Sequence, residues 1–256
     1  MNEQNIQQHK QFKILLLGDN CKDIYQFGNV DRISPEAPVP VFVPGRTEER
    51  DGMAGNVFNN LDALDCNIDF FFGNISTKTR LIDTRSKQQI VRIDNDVVST
   101  PLLYDTINPD NYDAIVVSDY NKGTVSYELI IELIRTAKVP IFIDTKKTDL
   151  KRLDGCYIKI NQLEASRATS LPNPEWLITT MGNQGVAWNG KTFESKTVEV
   201  ADVCGAGDTF LSALVFQFLN TGSIEQAIEF SIKASAVTVQ HLGCYAPTLK
   251  EINNEL

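Results

Sequence analysis

Residues 114–143 read AIVVSDYNKGTVSYELIIELIRTAKVPIFI, and three patterns follow one another within them. Ala114–Val117 is an unbroken apolar run of the kind buried on both faces of a parallel sheet. Tyr127–Ala137 reads as a helix and Val139–Ile143 as a second buried strand. Strand, helix and strand in that order predict a right-handed crossover between parallel neighbours. The alternation continues outward in both directions. Upstream lie a strand at Phe12–Leu17 that ends in Gly18-Asp19, a helix at Ala54–Leu64 and a strand at Ile68–Phe72. Downstream lie strands at Tyr157–Ile160 and Trp176–Thr179, then helices at Thr209–Leu219, Ile224–Val239 and from Leu249. The predicted fold class is α/β, a mostly parallel central sheet flanked by helices. Ile24–Val43, with its three prolines, and the alternating stretch Thr79–Asp94 (TRLIDTRSKQQIVRID) break the rhythm. They are expected to form a small β-sheet lid beside the body. The organisation expected is a polar leader over 1–11 and one domain over 12–256, with lid segments near 24–43 and 79–94.

Among 256 residues, 24 Lys and Arg face 33 Asp and Glu, a net charge of −9. That balance argues against nucleic acid or an acidic membrane as the main partner, with a local basic patch left open. The start, MNEQNIQQHKQ, lacks an apolar signal core, and no run approaches the roughly 18 apolar residues of a membrane span, so a cytoplasmic location is expected. Two histidines, His9 and His241, exclude a multi-histidine metal site and make a serine–histidine triad a poor expectation. The five cysteines are scattered without a C-x-x-C pair, and most are expected to be small buried hydrophobes, with neither a disulfide framework nor a zinc site. Chemistry therefore falls to carboxylates, glycines and lysines.

The stretch 200–210, VADVCGAGDTF, concentrates them. Gly205-Ala206-Gly207 lets backbone N–H groups face one point where a strongly apolar helix begins, which makes an anion hole. Asp208 at its rim has two readings: a base for a substrate hydroxyl, because phosphoryl transfer needs mainly positioning and charge neutralisation, or a helix N-cap. Other polar residues stand where apolar strands stop: Asp19 and Asp23, Ser118-Asp119-Tyr120, Asp144 and Lys146, Asn161 and Glu164. Together they outline a cleft in which a lysine can neutralise phosphate and a carboxylate can hold Mg²⁺ through water. Each alone reads equally as a cap or turn residue. Arg80, Arg85 and Arg92 in the lid are solvated charges or forks for an anionic substrate. The segment 185–192, GVAWNGKT, fits a P-loop pattern but lacks its context. Asn189-Gly190 is a hairpin turn between β-like runs, and ESKTVEV beyond it looks extended. No Rossmann glycine fingerprint follows the first strand.

Asp202-Val-Cys-Gly-Ala-Gly-Asp-Thr-Phe210 resembles the signature of the ribokinase-like (PfkB) carbohydrate kinases, and Asn161-Gln-Leu-Glu164 resembles that family's N-x-x-E magnesium motif. Several further segments are similar to the D-glycero-β-D-manno-heptose 7-phosphate kinases, the kinase half of bifunctional ADP-heptose synthases. These are Arg32-Ile-Ser-Pro-Glu-Ala-Pro-Val-Pro-Val41, Glu49-Arg50-Asp-Gly52 leading to Asn56, Lys78-Thr-Arg80, Gln88-Gln89 to Arg92-Ile-Asp94, and Ser118-Asp119-Tyr120 with Lys122-Gly123. The similarity runs from about Phe12 to Leu249, and RISPEAPVPV is its most specific block.

The resemblance implies a ribokinase-like fold and ATP-dependent phosphorylation of the sugar's C1 hydroxyl. It implies that Asp208 is the base and Gly205, Ala206 and Gly207 the hole for the transferring phosphoryl group. Asp23, Gly52, Asn56 and Asp119 would serve the sugar, with Arg80 and Arg92 meeting its 7-phosphate. Lys146, Asn161, Glu164, Thr180, Gly182 and Gly185 would serve ATP, Gly243 would lie near the adenine, and Glu164 would reach Mg²⁺ through water. A monovalent cation, a homodimer through the lid and a separate nucleotidyltransferase in the pathway are further expectations. The chain departs from the family pattern at three places. Gly52-Met53 replaces a Gly-Gly hinge, the stretch from Phe72-Gly73-Asn74 to Lys78 is short and lacks a G-D-D element with its helix, and Met181 stands where a basic residue is usual. A kinase for another sugar, and a non-catalytic sugar or nucleotide binder, are the competing readings.

Overall fold

Side-chain alternation along the inner half of β1 (Lys13–Ile33) sets the layering. Ile14 and Leu16 enter one apolar cluster, while Leu15 and Leu17 enter the other. β5 (Ala114–Asp119), buried along its whole length, repeats the division with Ala114 and Val116 against Ile115 and Val117. The first cluster is closed by α1 (Ala54–Ala63), α4 (Ala206–Thr221), α5 (Ile224–Thr238) and α6 (Leu249–Asn254). The second is closed by α2 (Tyr127–Thr136), which Ser126 caps by accepting the Leu129 amide at 3.1 Å. The computed structural model describes residues 11–254, so all of the expected leader except Gln11 lies outside the described residues, as does His9.

The remaining strands are β2 (Pro40–Met53), β3 (Asn67–Asp83), β4 (Gln89–Asn95), β6 (Ile141–Thr145), β7 (Tyr157–Asn161), β8 (Leu177–Thr180), β9 (Val186–Trp188) and β10 (Lys191–Phe193). The sheet runs β10-β9-β8-β7-β6-β5-β1-β3-β4, with β2 paired to β1 outside this path. From β3 across β1, β5, β6 and β7 to β8 the pairing is parallel, and β2, β4, β9 and β10 pair antiparallel. This is the mostly parallel α/β sheet that the alternation predicts. The loops that follow the carboxyl ends of β5, β6, β7 and β8 converge on one edge of the body.

The lid differs from the separate small sheet expected. β1 and β3 stay paired from Lys13↔Asn67 to Gly28↔Asp83, with one register shift between Gly18 and Asn20. Each strand thus leaves the body and becomes lid without a break. β2 covers the outer half of β1 and β4 the outer half of β3. Polar residues enter both strands where helices no longer cover the sheet, so the sequence pattern changes there although the strands do not end. The hairpin β9–β10 turns on Asn189 and Gly190, both at positive φ (45° and 75°). No helix follows until Ala206, which removes the context a P-loop requires. No helix among the described residues is long and apolar enough to cross a membrane.

Candidate active site

Gly205 takes a left-handed conformation (φ 77°) at the start of α4, and no side chain caps the helix. The Ala206 amide makes only a long contact of 3.4 Å with the Val203 carbonyl. The next amides, of Gly207 and Asp208, have no helical acceptor upstream of them. Asp208 is the third residue of the helix rather than its N-cap, which sets the cap reading aside. Its carboxylate accepts a hydrogen bond from Asn56 Nδ2 of α1 at 2.7 Å and is 8% exposed. Thr209 Oγ1 donates to Asn60 Oδ1 at 2.7 Å, and Asn60 donates to the Asn56 carbonyl at 2.8 Å, so α1 and α4 are pinned together around the carboxylate. Burial pushes the Asp208 carboxyl up to about 6 against the pull of the Asn56 hydrogen bond, and the nearby Asp144 charge adds to the rise. Such a group is ionised at neutral pH yet accepts a proton readily. Tyr120, whose hydroxyl lies 3.5 Å from Asp208, is held well above the ordinary phenol range by that carboxylate and by burial.

On the lid side, Asp23 of β1 is ion-paired to Arg80 of β3. A Cβ on Gly52 would stand 2.4 Å from Asp23 Oδ2, so the carboxylate lies across bare backbone. The next residue, Met53, buries its side chain while its backbone sits at φ 52° and ψ −131°, a conformation that favours glycine. Arg92 is the cross-strand partner of Arg80, and it is held by Asp94 through hydrogen bonds of 2.8 and 2.9 Å. Like charges directly opposite one another disfavour the pairing, which the two aspartates offset.

Asp119 is a correction to the sequence expectation. Its side chain is 0% exposed, pairs with Lys147 at 3.0 Å and accepts from Thr145 and from the Asn121 amide, so it holds the loop after β5 and presents nothing to a sugar. Asp19 is spent similarly on the amides of Tyr120, Lys122 and Thr124.

On the other side of α4 lies a cleft of about 580 Å³ that Thr180, Gly182 and Gly185 share with Ala206 and Gly207. Lys146 pairs with Glu164, whose second oxygen accepts the Asn161 amide at 2.8 Å. Asn161 Oδ1 accepts the Glu164 amide at 2.9 Å, closing a capping box at the start of α3 (Gln162–Arg167). Among the described residues no group of three or more His, Cys, Asp or Glu gathers for a metal. A single carboxylate, Glu164 beside Lys146, fits a Mg²⁺ ion that keeps its waters and arrives on nucleotide phosphates, not a cage made of protein.

Gly243, like Lys146, Asn161 and Glu164, is not among the residues lining this cleft. Its amide donates to Asp202 Oδ2 at 2.9 Å, and a Cβ there would stand 2.5 Å from the Arg50 guanidinium, on the lid side. Gly185 does line the cleft, and its backbone also passes so close to Phe193 that the β9–β10 hairpin requires glycine there.

Sequence reasoning missed Lys159. It is 5% exposed and pairs with Asp144 at 2.6 Å, and a Cβ on Gly207 would stand 2.8 Å from its ammonium. A buried cation therefore sits directly behind the bare backbone of the hole. The signal was a single lysine inside the apolar run Tyr157–Ile160, placed on β7 next to the cleft.

The model for pfkB family carbohydrate kinases matches residues 73–251. The chain belongs to this family. Bifunctional protein HldE of a Nitratiruptor species is 32% identical to it over 296 residues, which take in 94% of this chain and 64% of that protein. The chain thus spans just under two thirds of the length of that relative. Two solved structures share the fold of this pfkB-family kinase. Phosphofructokinase-2 from Escherichia coli in complex with potassium has a TM-score of 0.72 at 13% identity, covering 95% of this chain and 97% of that one. Ribokinase from Arabidopsis thaliana complexed with ribose and ATP has a TM-score of 0.67 at 15% identity, covering 96% and 98%. The fold is ribokinase-like, and the pfkB-family kinase is a sugar kinase.

Proposed function

We propose that this pfkB-family kinase transfers a phosphoryl group from ATP to the anomeric C1 hydroxyl of D-glycero-β-D-manno-heptose 7-phosphate. The observation that carries the transfer is the Asp208 carboxylate, buried, raised to about 6 and fixed by Asn56 at the open start of α4. Asp208 takes the proton of the attacking hydroxyl as its oxygen bonds to the γ-phosphorus and the bond to ADP breaks. The Gly207 and Asp208 amides, with Lys159 behind them, stabilise the charge that spreads over the phosphoryl oxygens. Thr180, Gly182, Gly185 and Lys146 hold the nucleotide. Glu164, with Asn161 positioning it, holds Mg²⁺ through water, and the ion neutralises phosphate charge when bound. A monovalent cation belongs to the proposal too, because the related E. coli phosphofructokinase-2 was solved with potassium.

The heptose assignment is supported by the RISPEAPVPV resemblance, by relatives named bifunctional protein HldE and by the cross-strand pairing of Arg80 with Arg92, two residue types that suit a sugar carrying its own phosphate. Asp23 and Asn56 hold sugar hydroxyls. On the lid, Val43, Val91 and Ile93 are exposed, which supports a homodimer through that face. An ADP-release assay over a panel of sugars tests the reading. Turnover with heptose 7-phosphate and none with the unphosphorylated heptose is expected. Turnover confined to other sugars would overturn the substrate, and binding without turnover of any sugar would overturn the reaction.

A further inference from the structure

Two of the five cysteines are not isolated hydrophobes. Cys204, immediately before Gly205, and Cys244, immediately after Gly243, lie 40 positions apart in sequence with their sulfurs 2.9 Å apart. Both are partly exposed, whereas Cys21, Cys66 and Cys156 are buried. Cys244 packs directly on the hole: a Cβ on Gly205 would stand 3.3 Å from both its Cβ and its Sγ. Asp202 ties the same two loops together by accepting the amides of Cys204 and Gly243.

We propose that Cys204 and Cys244 form a covalent modification site, a dithiol that low-molecular-weight disulfides convert to an intramolecular disulfide, switching phosphoryl transfer off. The switching half rests on the function proposed above; the bond itself does not. Cys204 gives its proton to solvent, and its thiolate attacks one sulfur of the small disulfide and expels a thiolate, leaving a mixed disulfide. Cys244 then gives up its proton to the expelled thiolate and attacks the Cys204 sulfur, releasing the second small thiolate, which takes up a proton from solvent. Two protein thiols are oxidised to one disulfide, and one small disulfide is reduced to two thiols. The hydrogen bond from Cys244 lowers the Cys204 thiol below its ordinary range, which favours it as the attacking partner. Burial instead raises Cys21, to about 11, and Cys66, to about 12, which leaves them poor competitors.

A disulfide length near 2.05 Å requires the sulfurs to approach by roughly 0.9 Å from their 2.9 Å separation. Cys204 is bonded to Gly205 and Cys244 rests against it, so that approach moves the first residue of the hole. The change falls on backbone aimed at the migrating phosphoryl group and leaves the far wall of the cleft, at Thr180, Gly182 and Gly185, in place.

The whole chain, incubated in glutathione and glutathione disulfide mixtures, is read by intact mass, peptide mapping, melting temperature and steady-state rate. The expected result is a loss of two hydrogens, a crosslinked pair of peptides holding Cys204 and Cys244, and a higher melting temperature. A fall in kcat of at least about tenfold should accompany it, part of the 10²- to 10³-fold that losing a whole hole donor costs. KM for ATP should hold, and dithiothreitol should restore the rate. Cys204→Ser and Cys244→Ser, each compared with its own reduced rate, should no longer respond. A glutathione adduct on one cysteine, or an unchanged mass, would overturn the site. A crosslinked protein with an undiminished rate would overturn the switch. If the reduced protein phosphorylates no sugar, the proposed function fails, while mass and melting temperature still decide the disulfide.

Discussion

On the lid side of Asp208 the wall is made of charged side chains already tied to one another, Asp23 to Arg80 and Arg92 to Asp94. On the nucleotide side it is bare backbone at Ala206 and Gly207, with hydrocarbon from Val200, Val203 and Phe210. A hydrocarbon and backbone surface accepts any flat base carrying phosphates. An arrangement of paired charges accepts only a ligand that can replace the partners it displaces. On the proposed function, selectivity for the sugar resides in side chains on β1, β3 and β4, and the transfer chemistry in the start of α4. The two halves should fail in different ways.

The largest separation is expected from Asp208→Asn. Loss of the proton acceptor should lower kcat by about 10²- to 10⁴-fold, with KM for ATP and for the sugar nearly unchanged, as steady-state kinetics would show. Loss of both affinities in a folded variant would break the division between chemistry and recognition. The same substitution should stabilise the fold at neutral pH. A carboxyl raised to about 6 favours folding while protonated in both states, and that contribution is lost as pH rises from its unfolded value through 6. Removing the charge should return on the order of 2 kcal/mol at pH 7, read by denaturant titration.

Arg80→Met addresses the other half. A charge-assisted contact to the sugar's phosphate is worth roughly 1.5–3 kcal/mol, so KM for the sugar phosphate should rise about 10- to 100-fold. KM for ATP should hold. An equal loss for a sugar lacking the phosphate would show that Arg80 merely braces Asp23. The pH profile gives a smaller effect. Because the Asp208 base must be ionised, kcat/KM should fall as pH drops through about 6, reaching roughly a tenth at pH 5. A profile flat across that window would remove Asp208 from proton transfer.

Alternation of apolar strands and helices made the body legible, because its inner strands, β5 and β6 above all, are buried on both faces and open as unbroken apolar runs. The lid was misread for the same reason. β1 passes from two covered faces to one, so a single strand appeared in sequence as a strand followed by loop-like fragments. Motif and position single out Asp208, Asn56 and Arg80, and the structure sets Asp208 against Asn56 and Arg80 against Asp23. The role of Asp119 was not legible, because its partner Lys147 is adjacent in space only once β5 and β6 are paired. The surroundings of Gly243 were not legible either, because its neighbours, Asp202 ahead of α4 and Arg50 on β2, are distant in sequence.

The smallest effect is expected at Met53, between the two halves. Met53→Gly relieves a backbone conformation costing about 1–3 kcal/mol and gives up a buried side chain worth about 2 kcal/mol. The melting temperature should move little. A large loss of stability would show that Met53 serves as a packing anchor at the base of the lid and that its backbone carries little strain.

β1 and β3 are floor in one half and canopy in the other, unbroken between. The canopy therefore cannot swing like a door on a joint. It can only flex like a springboard clamped at its root, near the register shift between Gly18 and Asn20. Any force on the free end is carried along peptide bonds into the body halves of β1 and β3.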